Sequence, residues 1–207
     1  MMSQLIEPRA ETSFEPKKPA GPFIIVGLGN PGREFEHNRH NVGFMLLNRL
    51  AARLGESFSK VQSKALVARS TYRGDRVILV KPQTFMNNSG APVTSLVRFY
   101  KVPLENMLVV YDDVDLPLGT LRLRPSGGSA GQKGMESIIE RLGTEEFPRV
   151  RIGTSRPPGK KETADYVLQD FPREESELLE ETLRRAEEAA FTFIQKGLDE
   201  AMNLFNG

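Results

Sequence analysis

From Phe23 onward, short apolar runs alternate with stretches whose apolar residues recur at helical spacing, and few architectures accommodate that order. Phe23–Gly27 reads as a buried strand. Val42, Met45, Leu46, Arg49, Leu50 and Arg53 suit a helix with one apolar face, closed by Gly55. Val61–Thr71 and Arg76–Val80 are predicted strands, joined in hairpin fashion near Gly74-Asp75. Val93, Leu96, Val97 and Tyr100 mark a helix after Ser89-Gly90, and Met107–Tyr111 is a second buried strand. Leu121-Arg122-Leu123-Arg124 alternates strictly, so one face is apolar and the other basic. Met135, Ile138, Ile139 and Leu142 mark another helix. Arg149-Val150-Arg151-Ile152 repeats the alternation and is expected to turn its arginines outward. A long helix after Pro172 carries Leu179, Leu183, Ala186, Ala190 and Phe193, and Gly197 is expected to break it. The predicted fold is a single-domain α/β sandwich over residues 21–207, with a mixed, partly parallel, twisted sheet flanked by helices.

Composition narrows the chemistry. The 207 residues suit one domain with one sizeable core. There is no cysteine, which excludes a disulfide framework, a thiol nucleophile and cysteine-ligated zinc, and suits a cytoplasmic protein. No apolar run approaches the roughly 18 residues a membrane span needs. Residues 1–20, with Pro8, Pro16 and Pro19 and little apolar content, read as a disordered extension. They lack the apolar centre of a signal peptide, and Glu7, Glu11 and Glu15 argue against an organelle transit peptide. The net charge of +1 conceals an asymmetry: Leu118–Lys161 carries +5 and Glu162–Gly207 carries −8. That division suits a polyanion-facing surface backed by an acidic helix.

Four segments could carry chemistry. The first strand feeds Gly27-Leu28-Gly29-Asn30-Pro31-Gly32, a literal G-x-G-x-x-G, but eight residues from Arg33 to His40 precede helical periodicity. A dinucleotide site needs its helix at once, aimed at pyrophosphate, so this match is weak. The chain's two histidines, His37 and His40, follow that turn and concentrate the near-neutral titration in one segment. A metal site there would need further ligands that the spacing does not supply. His37 reads as a loop residue. The strand ending at Tyr111 delivers Asp112-Asp113-Val114-Asp115, a carboxylate source at a strand's carboxyl end. Pro82–Gly90 offers Asn87, whose amide could donate to an oxyanion, and Asn88 or Ser89 is expected to cap the next helix. Gly127–Gly134 opens a helix and could favour phosphate.

Together these segments resemble bacterial-type peptidyl-tRNA hydrolases, from residue 23 to about residue 205. The resemblance rests on Val26-Gly27-Leu28-Gly29-Asn30-Pro31-Gly32, Arg39-His40-Asn41-Val42-Gly43, Lys81-Pro82-Gln83-Thr84-Phe85-Met86-Asn87 and Asp112-Asp113-Val114-Asp115-Leu116-Pro117. It implies cleavage of the ester between a peptide and the 3′ ribose of tRNA, without metal or organic cofactor, by a monomer. It places the general base on His40 and its carboxylate partner on Asp112. It puts Asn30 and Asn87 at the cleft, for the peptide end and the carbonyl or oxyanion, with Phe85 lining it. The family commonly has tyrosine at the position of Phe35, and histidine-asparagine where this chain has Gln132-Lys133. Phe35, Gln132 and Lys133 are therefore expected substrate contacts of altered chemistry. Arg122, Arg124 and Arg151 are expected to hold the backbone of the tRNA acceptor stem. The same fold also serves non-catalytic RNA-binding relatives, and retention of His40, Asp112, Asn30 and Asn87 argues against that reading.

Overall fold

The computed structural model describes residues 21–157, 159 and 162–206. The expectation for residues 1–20 lies outside them. Seven strands form one sheet in the order β2-β3-β4-β1-β5-β7-β6. The centre consists of β1 (Phe23–Gly27), β4 (Asp75–Pro82), β5 (Met107–Asp113) and β7 (Arg149–Gly153), mutually parallel. The antiparallel members sit outside: β2 (Lys60–Gln62) and β3 (Ala65–Tyr72) on one side, β6 (Leu121–Arg124) on the other. The sheet is thus mixed and partly parallel, as expected.

Both faces are covered, which is why β1, β4 and β5 carry continuous apolar runs rather than alternating ones. Ile25, Leu79, Leu108 and Val110 face α1 (Val42–Arg53), α5 (Ser176–Lys196) and α6 (Leu198–Phe205). Ile24, Val80, Val109 and Tyr111 face α2 (Gly90–Tyr100) and α3 (Lys133–Leu142). The carboxyl ends of β1, β4 and β5 open on one edge, and β1 lies between β4 and β5. Crevices at such edges are where open α/β sheets bind ligands.

Three local expectations are corrected. Val61–Thr71 is not one strand. It breaks at Ser63 and Lys64, both left-handed at φ 50° and 58°, into the β2–β3 hairpin. Neither residue belongs to the glycine and asparagine set that announces such turns. Arg149 does not face solvent. It is 1 % exposed, because the loop from Gly127 crosses over β7, and its guanidinium donates to the carbonyls of Gly127, Glu145 and Phe147. Helix α2 begins after Ser89, yet neither Asn88 nor Ser89 caps it: Ser89 Oγ donates to the Met86 carbonyl, and the Gly90 N–H donates to Ser137 Oγ of α3 at 3.0 Å. The Leu121–Arg124 alternation holds, with Leu121 and Leu123 fully buried. A short helix α4 (Thr163–Val167) was not anticipated.

Candidate active site

The site begins with glycine at the end of β1. A Cβ on Gly27 would lie 2.4 Å from the Gly43 carbonyl oxygen, and one on Gly43 would lie 2.5 Å from the Leu28 nitrogen. Only hydrogen at both positions lets the first turn of α1 press against the strand end. That contact lowers the turn Arg39–Asn41, which leads into α1, onto the loop after β1. Asn41 then secures the loop twice: its Oδ1 accepts from Asn30 N–H and its Nδ2 donates to the Asn30 carbonyl, both at 2.8 Å. The G-x-G-x-x-G glycines thus serve helix–strand approach and the placement of Asn30, rather than a phosphate cradle.

Asn30 Oδ1 accepts from Met86 N–H at 2.9 Å, which fixes the amide orientation and leaves its NH2 group on the cleft side. Met86 belongs to the turn Met86–Asn88, so this one bond ties the asparagine turn to the β1 loop.

His40 sits above the carboxyl end of β5. Its Nδ1 lies 2.9 Å from each oxygen of Asp112. Asp112 is 4 % exposed, the His40 side chain 13 %. With Nδ1–H donated to the carboxylate, Nε2 carries the lone pair. Burial would lower the histidine pKa, but the charge and hydrogen bond of Asp112 outweigh it, and the ring is held above its ordinary value of 6.5.

A cleft of about 540 Å³ opens beside this pair. Asn30, His40, Asp112, Gln132 and Lys133 line it, five of the residues singled out from the sequence. Phe35, Phe85, Asn87, Arg122 and Arg151 are not in its wall. Asn87 and Phe85 are exposed next to Met86. Arg151 pairs with Asp113, and its cross-strand neighbour Arg122 is half-buried. Lys133 is exposed and paired with Glu136 at 2.9 Å. Gln132 points inward, 8 % exposed, toward Asp112.

The far wall was missed. Thr163, Ala164, Val167 and Leu168 face the cleft, and Leu168 is 43 % exposed there, an apolar surface opposite a polar one. The signal was short: Thr163 with Val167 and Ala164 with Leu168, four apart, between Gly159 and Pro172. Arg39 was also missed as an individual residue. Its guanidinium stacks 4.4 Å from the Tyr166 ring centroid and 4.9 Å from that of Phe171. It donates to the Asp170 carbonyl and to Glu175 at 2.6 and 2.7 Å. The residue next to His40 therefore holds the segment that builds the opposite wall. Among the described residues, no three His, Cys, Asp or Glu side chains converge as a metal site.

A buried histidine–carboxylate pair, an ordered amide and a cleft with one polar and one apolar wall are groups that can support hydrolysis at a carbonyl. The peptidyl-tRNA hydrolase family model matches residues 24–207. The chain belongs to the peptidyl-tRNA hydrolase family. It is 49 % identical over 185 residues to the peptidyl-tRNA hydrolase of Thermoanaerobacter sp. (strain X514), covering 89 % of this chain and all of that one. Identity to the chloroplastic peptidyl-tRNA hydrolase of Arabidopsis thaliana is 47 % over 207 residues, covering 99 % of this chain and 71 % of that protein. The crystal structure of peptidyl-tRNA hydrolase from Acinetobacter baumannii superposes with a TM-score of 0.84 at 31 % identity, covering 89 % of this chain and 96 % of that one. An enzyme of this family thus carries the sandwich, and His40 and Asp112 stand at the head of its cleft. No described helix is long and apolar enough to cross a membrane.

Proposed function

We propose that this chain hydrolyses the ester between a peptide, or an N-blocked aminoacyl group, and the 3′ ribose of tRNA, with His40 as general base. The observation that carries the reading is His40 Nδ1 bonded to both Asp112 oxygens at the mouth of the cleft. Nε2 of the neutral ring takes a proton from water as the water oxygen attacks the ester carbonyl. The new C–O bond leaves a tetrahedral oxyanion, and Asp112 stabilises the imidazolium formed in the same step. Collapse breaks the bond to the ribose oxygen, which leaves with the proton from Nε2. The products are a free peptide acid and tRNA, and water is the only co-reactant.

Amide donors serve the oxyanion without titrating at any working pH. Asn30, already oriented by Met86, holds the peptide end; Asn87, exposed on the neighbouring turn and outside the cleft wall, is assigned to the carbonyl through the family resemblance alone. The apolar wall at Val167 and Leu168 receives the less polar parts of the substrate. Arg122 sits directly across from Arg151 of β7, whose charge is shared with Asp113, and Arg122 suits a phosphate backbone that must be held without reading its sequence. Lys133, whose exposed ion pair with Glu136 is weak, can exchange that partner for phosphate. The enzyme acts as a monomer on the acceptor stem and 3′ end, in the cytoplasm, and its relative in the chloroplast carries the family into an organelle as well.

Cleavage of N-acetyl-aminoacyl-tRNA tests the reading. Wild type should release N-acetyl-amino acid, and His40→Ala should lose about 10²- to 10⁴-fold in kcat while tRNA binding persists. Full turnover by His40→Ala, or none by wild type, would overturn it.

A further inference from the structure

Gln132 stands where the sequence suggests a substrate contact, yet its polar atoms are all engaged inside the protein. Oε1 accepts from Met135 N–H at 2.8 Å and so caps helix α3. Nε2 donates to Asp112 Oδ1 at 3.2 Å and lies 3.3 Å from Met86 Sδ. An amide has one acceptor oxygen and two N–H donors, so this environment fills it. Gly134 makes the approach possible, because a Cβ there would lie 2.6 Å from Met86 Sδ and 3.0 Å from Gln132 Oε1.

We propose that Gln132 is a positioning residue for the His40–Asp112 pair, its amide fixed on the first turn of α3 and holding the carboxylate under the imidazole. This rests on the assignment of His40 as base, and it ties α3 to the reaction. Asp112 Oδ1 accepts from both Gln132 and His40, so the carboxylate cannot rotate away from the ring without losing two bonds. The amide also spreads the carboxylate charge. Because that charge holds the His40 pKa up, the Gln132 donor moderates it and keeps more of the ring in the neutral, basic form near pH 7. The other ionisable groups around the pair are Tyr111, Asp113 and Asp115 on β5 and the loop after it, Lys133 on α3, and Arg156 after β7. Asp113 is neutralised by Arg151, and Asp115 by Arg156. Gln132 is the residue among them that donates to Asp112 besides His40.

The chain's two histidines make the test direct. The imidazole signals of His37 and His40 can be titrated by NMR, with exposed His37 as the internal reference, in wild type, Gln132→Met and Gln132→Glu. Gln132→Glu keeps an oxygen for Met135 N–H, so it retains the cap that Gln132→Met loses, and it sets a second carboxyl group against Asp112 in place of the donor; circular dichroism checks the fold of both. Losing one donor should move the His40 titration up by about half a unit to one unit in Gln132→Met, and further in Gln132→Glu, with His37 unmoved. The acid limb of kcat/KM should move with it. Near pH 7 kcat should fall about tenfold in Gln132→Met while KM for tRNA changes little, and Gln132→Glu should recover activity at higher pH. A His40 titration unchanged in both variants, or a raised KM at constant kcat, would overturn the proposal. The titration needs no catalysis. Should His40→Ala prove active while the titration still shifts, the base assignment falls and the Gln132–Asp112–His40 link stands.

Discussion

In the mechanism proposed above Asp112 sets the ring, since both of its oxygens face Nδ1 of His40. In Asp112→Asn the amide can donate to Nδ1, which favours the tautomer with its proton on Nε2 and no lone pair toward water. We expect kcat to fall about 10⁴-fold with folding retained, measured by single-turnover ester cleavage; a loss below tenfold would mean the carboxylate does not set the ring. At this scale the motif residues were legible. His40, Asp112 and Asn30 stood in ordered motifs, and the structure gathers them in one cleft. Gln132 and Arg149 were not legible, for a shared physical reason. Each is a polar residue held inward by groups that local pattern does not reveal: Gln132 by the side chains of Asp112 and Met86, far along the chain, and Arg149 by the carbonyls of Gly127, Glu145 and Phe147. Alternation along β7 could reveal which face Arg149 takes, but not that the Gly127 loop covers that face.

Among the elements, the wall of the cleft depends on a side chain from across the site. Backbone bonds run from Arg39 N–H to Gln169 O and from Phe171 N–H to His37 O, and the Arg39 guanidinium locks the joint between two rings. Arg39→Met keeps much of the apolar stem and loses the charge-assisted bonds to Asp170 and Glu175. It should destabilise the protein by about 2–3 kcal/mol in urea unfolding. Because α4 and Leu168 would then sit less firmly, KM should rise more than kcat falls; unchanged KM would detach the wall from substrate binding. The contact of α1 with β1 is tighter still. Gly43→Ala should cost roughly 1–3 kcal/mol by overpacking against Leu28 and Val110, and should displace the His40 turn, so stability and kcat fall together. The strands and long helices were legible from period and punctuation. The β2–β3 break and α4 were not, since the first uses left-handed serine and lysine and the second has barely one turn of pattern.

For the molecule as a whole, the charge division of the sequence becomes two surfaces. The acidic stretch after Glu162 is spent partly on internal pairing: Arg49 and Arg53 of α1 meet Glu180, Glu187 and Glu188 of α5. Outside the cleft wall, Arg122 and Arg124 alternate with the buried leucines of β6, Arg122 half-buried and Arg124 exposed. Arg122→Ala should weaken tRNA binding and reduce the log–log salt slope by about 0.9, while stability stays within about 0.5 kcal/mol. An unchanged slope would remove that face from the tRNA footprint. At the centre of the proposed chemistry, neutral His40, steered by Asp112, activates the water. The acid limb of kcat/KM, measured with N-acetyl-aminoacyl-tRNA beside the NMR titration of His40, tests it most directly. Both midpoints should coincide and lie above 6.5, the ordinary histidine value, because Asp112 raises the ring. A rate that stays flat while His40 titrates would contradict it.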